Sequence, residues 1–130
     1  MSQQNVGVVR RVYEEWSRGD FSAGDVFDRD VVFEMVDWPG RDRSRGIEEM
    51  RRAWQESLGA WDDFRAEPTV FIDNGPHVVV PTHVTARGKG SGAAVMAETA
   101  TVWTFDSGKV VRLALHWDAA AALEAVGLAE

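Results

Sequence analysis

The stretch that most constrains this chain runs from Val95 to Trp117 and reads as two long strands joined at Asp106-Ser107-Gly108-Lys109. Its first arm, Val95 to Phe105, is rich in β-formers and long for a strand. The second arm alternates Val111, Leu113, Leu115 and Trp117 against Arg112, Ala114 and His116. A short Gly-containing connection between two such arms makes a β-hairpin. Arms this long exceed what a flat two-layer core needs. They predict a bent sheet that wraps around something.

The rest of the chain supplies partners for that sheet. Val6, Val9, Val12, Tyr13 and Trp16 recur at helical spacing and predict an amphipathic helix over residues 3–18, stopped by Gly19. Arg10–Glu14 and Arg11–Glu15 are i,i+4 pairs on its other side, worth ~0.3 kcal/mol each. Ser22 and Asp25 resemble a capping box for a short turn from Ala23 to Phe27. Val31 to Val36 reads as the first strand, ended by Trp38-Pro39-Gly40, with a charged loop to Gly46. Ile47, Met50, Trp54 and Leu58 mark a second helix closed by Gly59. Residues 62–73 read as one strand whose Pro68 puts its start at a sheet edge. Asn74-Gly75 signals a turn, Val78 to Ala86 the next strand, and Gly88, Gly90 and Gly92 a loose turn into the hairpin. Asp118 caps a final helix from Ala119 to Val126, stopped by Gly127.

A chain of 130 residues without repeats is one domain, residues 1–130, of the α+β class. Six Trp and six Phe against one Tyr call for a thick core, an aromatic-lined cavity or a subunit interface. A net charge of −7 argues against nucleic acid and anionic membranes as partners. With no cysteine, thiol chemistry and Cys-based metal sites are excluded, and with no leader or long apolar run a cytoplasmic location is the expectation.

Several motifs, in order, resemble a known group. They are Trp16-Ser17-Arg18-Gly19-Asp20, Asp30-Val31-Val32-Phe33-Glu34, Arg45-Gly46, Arg87 to Gly92, Val102-Trp103-Thr104-Phe105 with Gly108-Lys109-Val110-Val111, and Trp117-Asp118 with Ala122 to Leu128. The chain is similar to SnoaL-like proteins of the nuclear transport factor 2-like superfamily, relatives of ketosteroid isomerases, limonene epoxide hydrolases and polyketide cyclases. The resemblance implies a cystatin-like α+β roll: a cone-shaped, curved mixed sheet with helices packed on its concave face. It also implies a conical pocket and homodimers packed through the outer sheet face. Residue by residue, the ketosteroid isomerase pattern transfers poorly. Its Tyr position falls on Val12, beside Tyr13; its base position falls on Met35, two residues before Asp37; its acid donor position falls on Thr101, and a neutral Thr does not replace a protonated carboxylic acid. The epoxide hydrolase relay is not evident either.

With strand direction taken from the resemblance, Phe33, Met35, Asp37, Val78, Val80, Thr82, Val84, Thr99, Thr101, Trp103, Leu113, Leu115 and Trp117 point inward, joined by Tyr13, Trp16 and Trp54 from the helices. Trp16, Phe33, Met35, Trp54, Thr82, Thr101, Trp103, Leu115 and Trp117 form the expected lining for an apolar, ring-containing ligand; the same side chains also serve to fill a core. Asp37 is the candidate general base, desolvated by Met35 and Trp38, or else a turn Asp ahead of Pro39. Tyr13 is the candidate donor to a ligand oxyanion, or else a boundary residue with its hydroxyl in water. His83, Glu98 and His116 point outward from adjacent strands, as a polar patch in a dimer interface or, less simply, a metal set. Arg41, Asp42, Arg43 and Arg45 form a solvated loop or a flap over the cone. Gly88 to Gly92 lacks the strand-to-helix context of a phosphate loop. Three readings follow: an enzyme of the isomerase, cyclase or hydrolase kind using Asp37 without a cofactor; a non-catalytic binder of a small hydrophobic molecule; and a dimeric scaffold with a filled cone.

Overall fold

The computed structural model describes residues 2–17, 24–36, 43–59 and 61–125. In chain order these form α1 (Ser2–Ser17), a 3-10 turn (Gly24–Val26), β1 (Phe27–Val36), β2 (Arg43–Arg45), α2 (Ile47–Leu58), β3 (Trp61–Pro68), β4 (Ile72–Asn74), β5 (His77–Gly88), β6 (Ala94–Asp106), β7 (Lys109–His116) and α3 (Ala119–Ala125). The strands make one mixed, curved and unclosed sheet ordered β2-β1-β7-β6-β5-β3, with β4 also paired to β5. Every neighbouring pair is antiparallel except β1 and β7, which run parallel.

The long hairpin is β6 and β7. Asp106 pairs with Lys109, and Ser107 and Gly108 between them have φ of 53° and 81°. Two successive positive-φ residues are the mark of a tight turn whose twist matches the strands, and Gly108 takes this conformation without Cβ strain. Pairing then slips by one residue: Thr104 faces Arg112, whereas Phe105 faces Val110. This bulge corrects the simple alternation expected for the second arm. It is Val110, not Val111, that is buried in the main core.

Three other boundaries and one register differ from the sequence reading. The turn after α1 is 3-10 and ends at Val26, so Phe27 already belongs to β1. Part of the charged loop, Arg43 to Arg45, is an edge strand against Val32 to Glu34. The strand expected over residues 62–73 is two strands. Pro68 has no N–H to donate, and beyond it the backbone N–H and the hydroxyl of Thr69 both donate to the carbonyl of Pro81, at 2.9 and 3.0 Å. Upstream, the β3 register slips between Asp62 and Arg65, where Asp63 takes a φ of 53°. The Ser22 cap, the Trp38-Pro39-Gly40 strand end, Arg41, Asp42 and the Gly127 stop lie outside the described residues.

The main core sits on one face of the sheet. Val9, Val12 and Tyr13 of α1 and Met50 and Ala53 of α2 pack against Phe33, Val78, Val80, Trp103, Leu113 and Leu115. Fully burying such a side chain contributes about 1.5–3 kcal/mol, and Trp103, with 0 % exposure, is the largest fully buried one. The third helix lies on the opposite face. Ala122 of α3 clusters with Val79, Val102 and Ala114, which alternate with the core-facing residues of β5, β6 and β7. Part of the outer sheet face expected to be open to a second subunit is therefore covered by the chain's own α3, with Asp118 capping that helix through the N–H of Ala120 at 2.9 Å.

Candidate ligand-binding cavity

Between the two core helices and the curved sheet lies a cavity of about 320 Å³. Its walls come from α1 (Tyr13, Trp16), β1 (Phe27, Phe33), α2 (Met50, Arg51, Trp54, Gln55), β3 (Phe64, Ala66) and β5 to β7 (Thr82, Val84, Thr99, Ala100, Thr101, Leu113, Leu115). The pleat explains the sheet contribution. Thr82 pairs with Thr99, and Thr101 pairs with Leu115, so these side chains share one face.

The aromatic rings are in mutual contact. Trp16 stacks on Trp54 at 5.7 Å, Phe33 and Phe64 meet Trp54 edge-on at 6.2 Å, and Tyr13 meets Trp16 edge-on at 5.5 Å. Such contacts add to area burial and hold the ring orientations. Trp54 carries an unmet demand: its buried Nε1–H has no hydrogen-bond partner among the described residues.

The polar centre of the cavity is Tyr13. The residue is 7 % exposed, and its hydroxyl lies 2.8 Å from Thr101 Oγ1. Trp103 Nε1–H donates to the same Thr101 oxygen at 2.8 Å. Thr82 O–H donates to the carbonyl of Val80 at 2.9 Å. An indole N–H only donates, so Thr101 receives one bond and is free to donate its own proton to Tyr13. That leaves the Tyr13 O–H to be given to Thr82 Oγ1 or to an occupant of the cavity. Burial pushes the Tyr13 phenol above its ordinary value of 10.0, opposed by hydrogen bonding, first from Thr101. At neutral pH Tyr13 is therefore a neutral donor and not a base. The expectation of a boundary hydroxyl in water is replaced by a buried, bonded one.

Of the expected lining residues, Trp16, Phe33, Trp54, Thr82, Thr101 and Leu115 face the cavity. Met35 and Trp103 are buried in the core around it, and Trp117 packs at the core's edge. Asp37 lies outside the described residues. Phe27, Met50, Arg51, Gln55, Phe64 and Ala66 were not among the expected lining. Met50 was visible as part of the apolar stripe of α2. Arg51 and Gln55 adjoin that stripe but look like an ordinary solvated helix face, and Phe64 and Ala66 follow a bulge that no local pattern announces.

On the outer face, His83 Nδ1 and Glu98 Oε1 are 2.5 Å apart across β5 and β6, while His116 faces Ala100, two residues along β6 from Glu98. Among the described residues no three His, Asp or Glu side chains come together as a metal-holding group. On the same face Glu34 of β1 accepts a hydrogen bond from Arg112 of β7, which holds its carboxyl below the usual carboxylate range against the opposing effect of burial. Among the described residues, no helix is long and apolar enough to cross a membrane.

A family model described as a SnoaL-like domain matches residues 9–113. A comparison with curated protein sequences finds no match. Among solved structures, an NTF2-like protein of unknown function from Burkholderia pseudomallei is 22 % identical, with a TM-score of 0.76 over 95 % of this chain and 98 % of that one. A putative SnoaL-like polyketide cyclase from Jannaschia sp. is 19 % identical, with a TM-score of 0.76 over 98 % and 94 %. TerC, co-crystallised with polyporic acid, is 19 % identical, with a TM-score of 0.77 over 95 % and 98 %. Identities this low establish a common fold.

Proposed function

Because the chain belongs to the family of SnoaL-like domains, and carries an aromatic-walled cavity with one buried phenol, we propose that it binds a small, hydrophobic, ring-containing molecule in that cavity. The observation that carries the reading is the set of rings around Trp54, with the Tyr13–Thr101 pair as the polar anchor. A flat ligand gains dispersion against Trp16 and Phe33 and takes the Tyr13 proton on a carbonyl or enol oxygen. The TerC complex with polyporic acid supports small-molecule binding by this fold.

Catalysis is the second reading, favoured by the likeness to a putative polyketide cyclase. The described lining includes no carboxylate or imidazole, so the enzyme reading assigns proton abstraction to Asp37 and oxyanion stabilisation to Tyr13, with Thr101 orienting it and no cofactor taking part. Homodimerisation belongs to the same proposal. It uses the part of the outer face beyond α3, around His83, Glu98 and His116, where Met96 is 72 % exposed. The absence of cysteine fits a cytoplasmic protein.

The direct test is titration with the neutral fluorophore phenylnaphthylamine, read by quenching of tryptophan emission. Binding with one site per chain is expected, abolished by Ala66→Trp, which pushes an indole into the cavity. Binding that survives Ala66→Trp refutes the site. For catalysis, a found substrate whose turnover is unchanged by Asp37→Asn removes the base assignment.

A further inference from the structure

Resting on the cavity reading above, we propose that the ligand class is a ring-containing anion, with its apolar body among the aromatic rings and its anionic head held at the cavity wall by Arg51 and Gln55. These two residues are one turn apart on α2, so their side chains lie over the same stretch of wall. The residues just before them on each turn, Met50 and Trp54, line the same cavity. Helix α2 therefore presents an apolar stripe and a polar one to a single ligand.

Arg51 is set apart from the chain's other charges by its place in the cavity wall. The protein has 21 acidic and 14 basic residues, so carboxylates are in excess. Cations that hold partners among the described residues include Arg11 with Glu15 and Asp25, Arg112 with Glu34, Lys109 with the Asp25 carbonyl, and Arg10 over the ring of Phe71. Arg51, like several other surface cations, has no such partner among the described residues, and it alone of the charged ones lines the cavity. A guanidinium offers a planar fork of donors matched to a carboxylate or similar oxyanion, and Gln55 adds an amide N–H beside it. The aromatic walls alone would also suit a quaternary ammonium. A cation at the wall opposes that class and favours an anion.

The test uses two probes with the same ring body, neutral phenylnaphthylamine and anionic anilinonaphthalene sulfonate, on the full chain. The sulfonate is expected to bind about five- to tenfold more tightly, the range for a charge-assisted contact that is partly open to water. Arg51→Gln should remove that advantage, weakening the sulfonate severalfold more than the neutral probe. Added salt should weaken only the sulfonate. Arg51 is exposed, so its replacement is compatible with folding, and the neutral probe reports an intact cavity. Equal affinity for the two probes, or an equal loss of both in Arg51→Gln, overturns the anion assignment alone. Sulfonate binding that persists in Ala66→Trp also overturns it, because the anion then sits elsewhere. Failure of the neutral probe to bind overturns the cavity reading itself, and this inference with it.

Discussion

Replacing Thr101 with valine is expected to destabilise the protein by about 2–4 kcal/mol, far more than the loss of one hydroxyl suggests. Valine keeps the shape, the β-branch and the strand preference of threonine, so the backbone of β6 has no reason to move. What disappears is one oxygen that serves two buried groups. Trp103 Nε1 donates to it at 2.8 Å, and the Tyr13 hydroxyl lies at 2.8 Å on its other side. Trp103 is fully buried, so no water reaches its orphaned N–H. Leaving a buried donor unsatisfied costs about 1–3 kcal/mol, and Tyr13 loses the first of its hydrogen-bond partners, keeping Thr82 and Trp103 as neighbours. Tyr13→Phe is the control. It removes one hydroxyl but leaves Thr101 to accept from Trp103, so a cost of about 0.5–1.5 kcal/mol is expected. The double variant should cost less than the sum, since both single variants remove the same Tyr13–Thr101 bond. Urea unfolding followed by tryptophan fluorescence, with unchanged m-values, gives all three numbers. If Thr101→Val costs no more than Tyr13→Phe, or the two add simply, the shared-oxygen account is wrong.

Tyr13 is the single tyrosine of the chain, so tyrosinate absorbance reports it alone. Its folded pKa is raised above 10.0, so the unfolded chain ionises first as pH rises. The stability tied to the neutral phenol is complete below about pH 10 and is lost above it; Tyr13→Phe should flatten that alkaline decline, and an absorbance midpoint at or below 10 in the native protein would contradict the burial argument. Glu34 is the opposite case, with its folded pKa lowered chiefly by the hydrogen bond from Arg112. Glu34→Gln should cost about 0.2–1 kcal/mol at neutral pH, as for a largely surface pair, and the difference from the parent should vanish as pH falls below the carboxylate range; a cost that persists in acid would deny the ion pair any role. Two glycines should respond with opposite signs in thermal unfolding. Gly7 lies within α1 with open space where a Cβ would go, so Gly7→Ala should stabilise by about 0.5–1 kcal/mol. At Gly108 there is also open space, but φ is 81°, so Gly108→Ala should destabilise by about 1 kcal/mol; equal signs would refute the backbone account.

How far the residues alone reach can be judged element by element. The apolar stripes of α1 and α2, the alternation along β5 and β6, and the turn at Ser107-Gly108 are all written in neighbours a few positions apart. Helix and strand periods act over that range, so these elements, the α+β class and the bend of the sheet were legible from the chain. The resemblance carried by Trp16 to Asp20 and by Val102 to Val111 added the conical pocket and the strand direction that separates the inward-facing set from the outward one.

Other features depend on registers fixed between distant strands. The bulges at Val111 and Asp63 decide that Val110, Phe64 and Ala66 face inward, and a one-residue slip of this kind leaves no local trace. The placement of α3 on the outer face was hidden because a seven-residue, Ala-rich helix has no strong stripe to announce its partner. The cavity chemistry was hidden most deeply. Tyr13 and Thr101 are 88 positions apart, and each is an unremarkable residue in its own element. Arg51 looks like one more charge on a solvated helix until β3 and the hairpin close a wall beside it. The sequence by itself determined the elements, the fold class and the apolar character of the interior, because burial follows from local periodicity. Only the tertiary structure decided which polar atoms meet inside, because hydrogen bonds depend on ångström-scale register between elements that share no sequence signal.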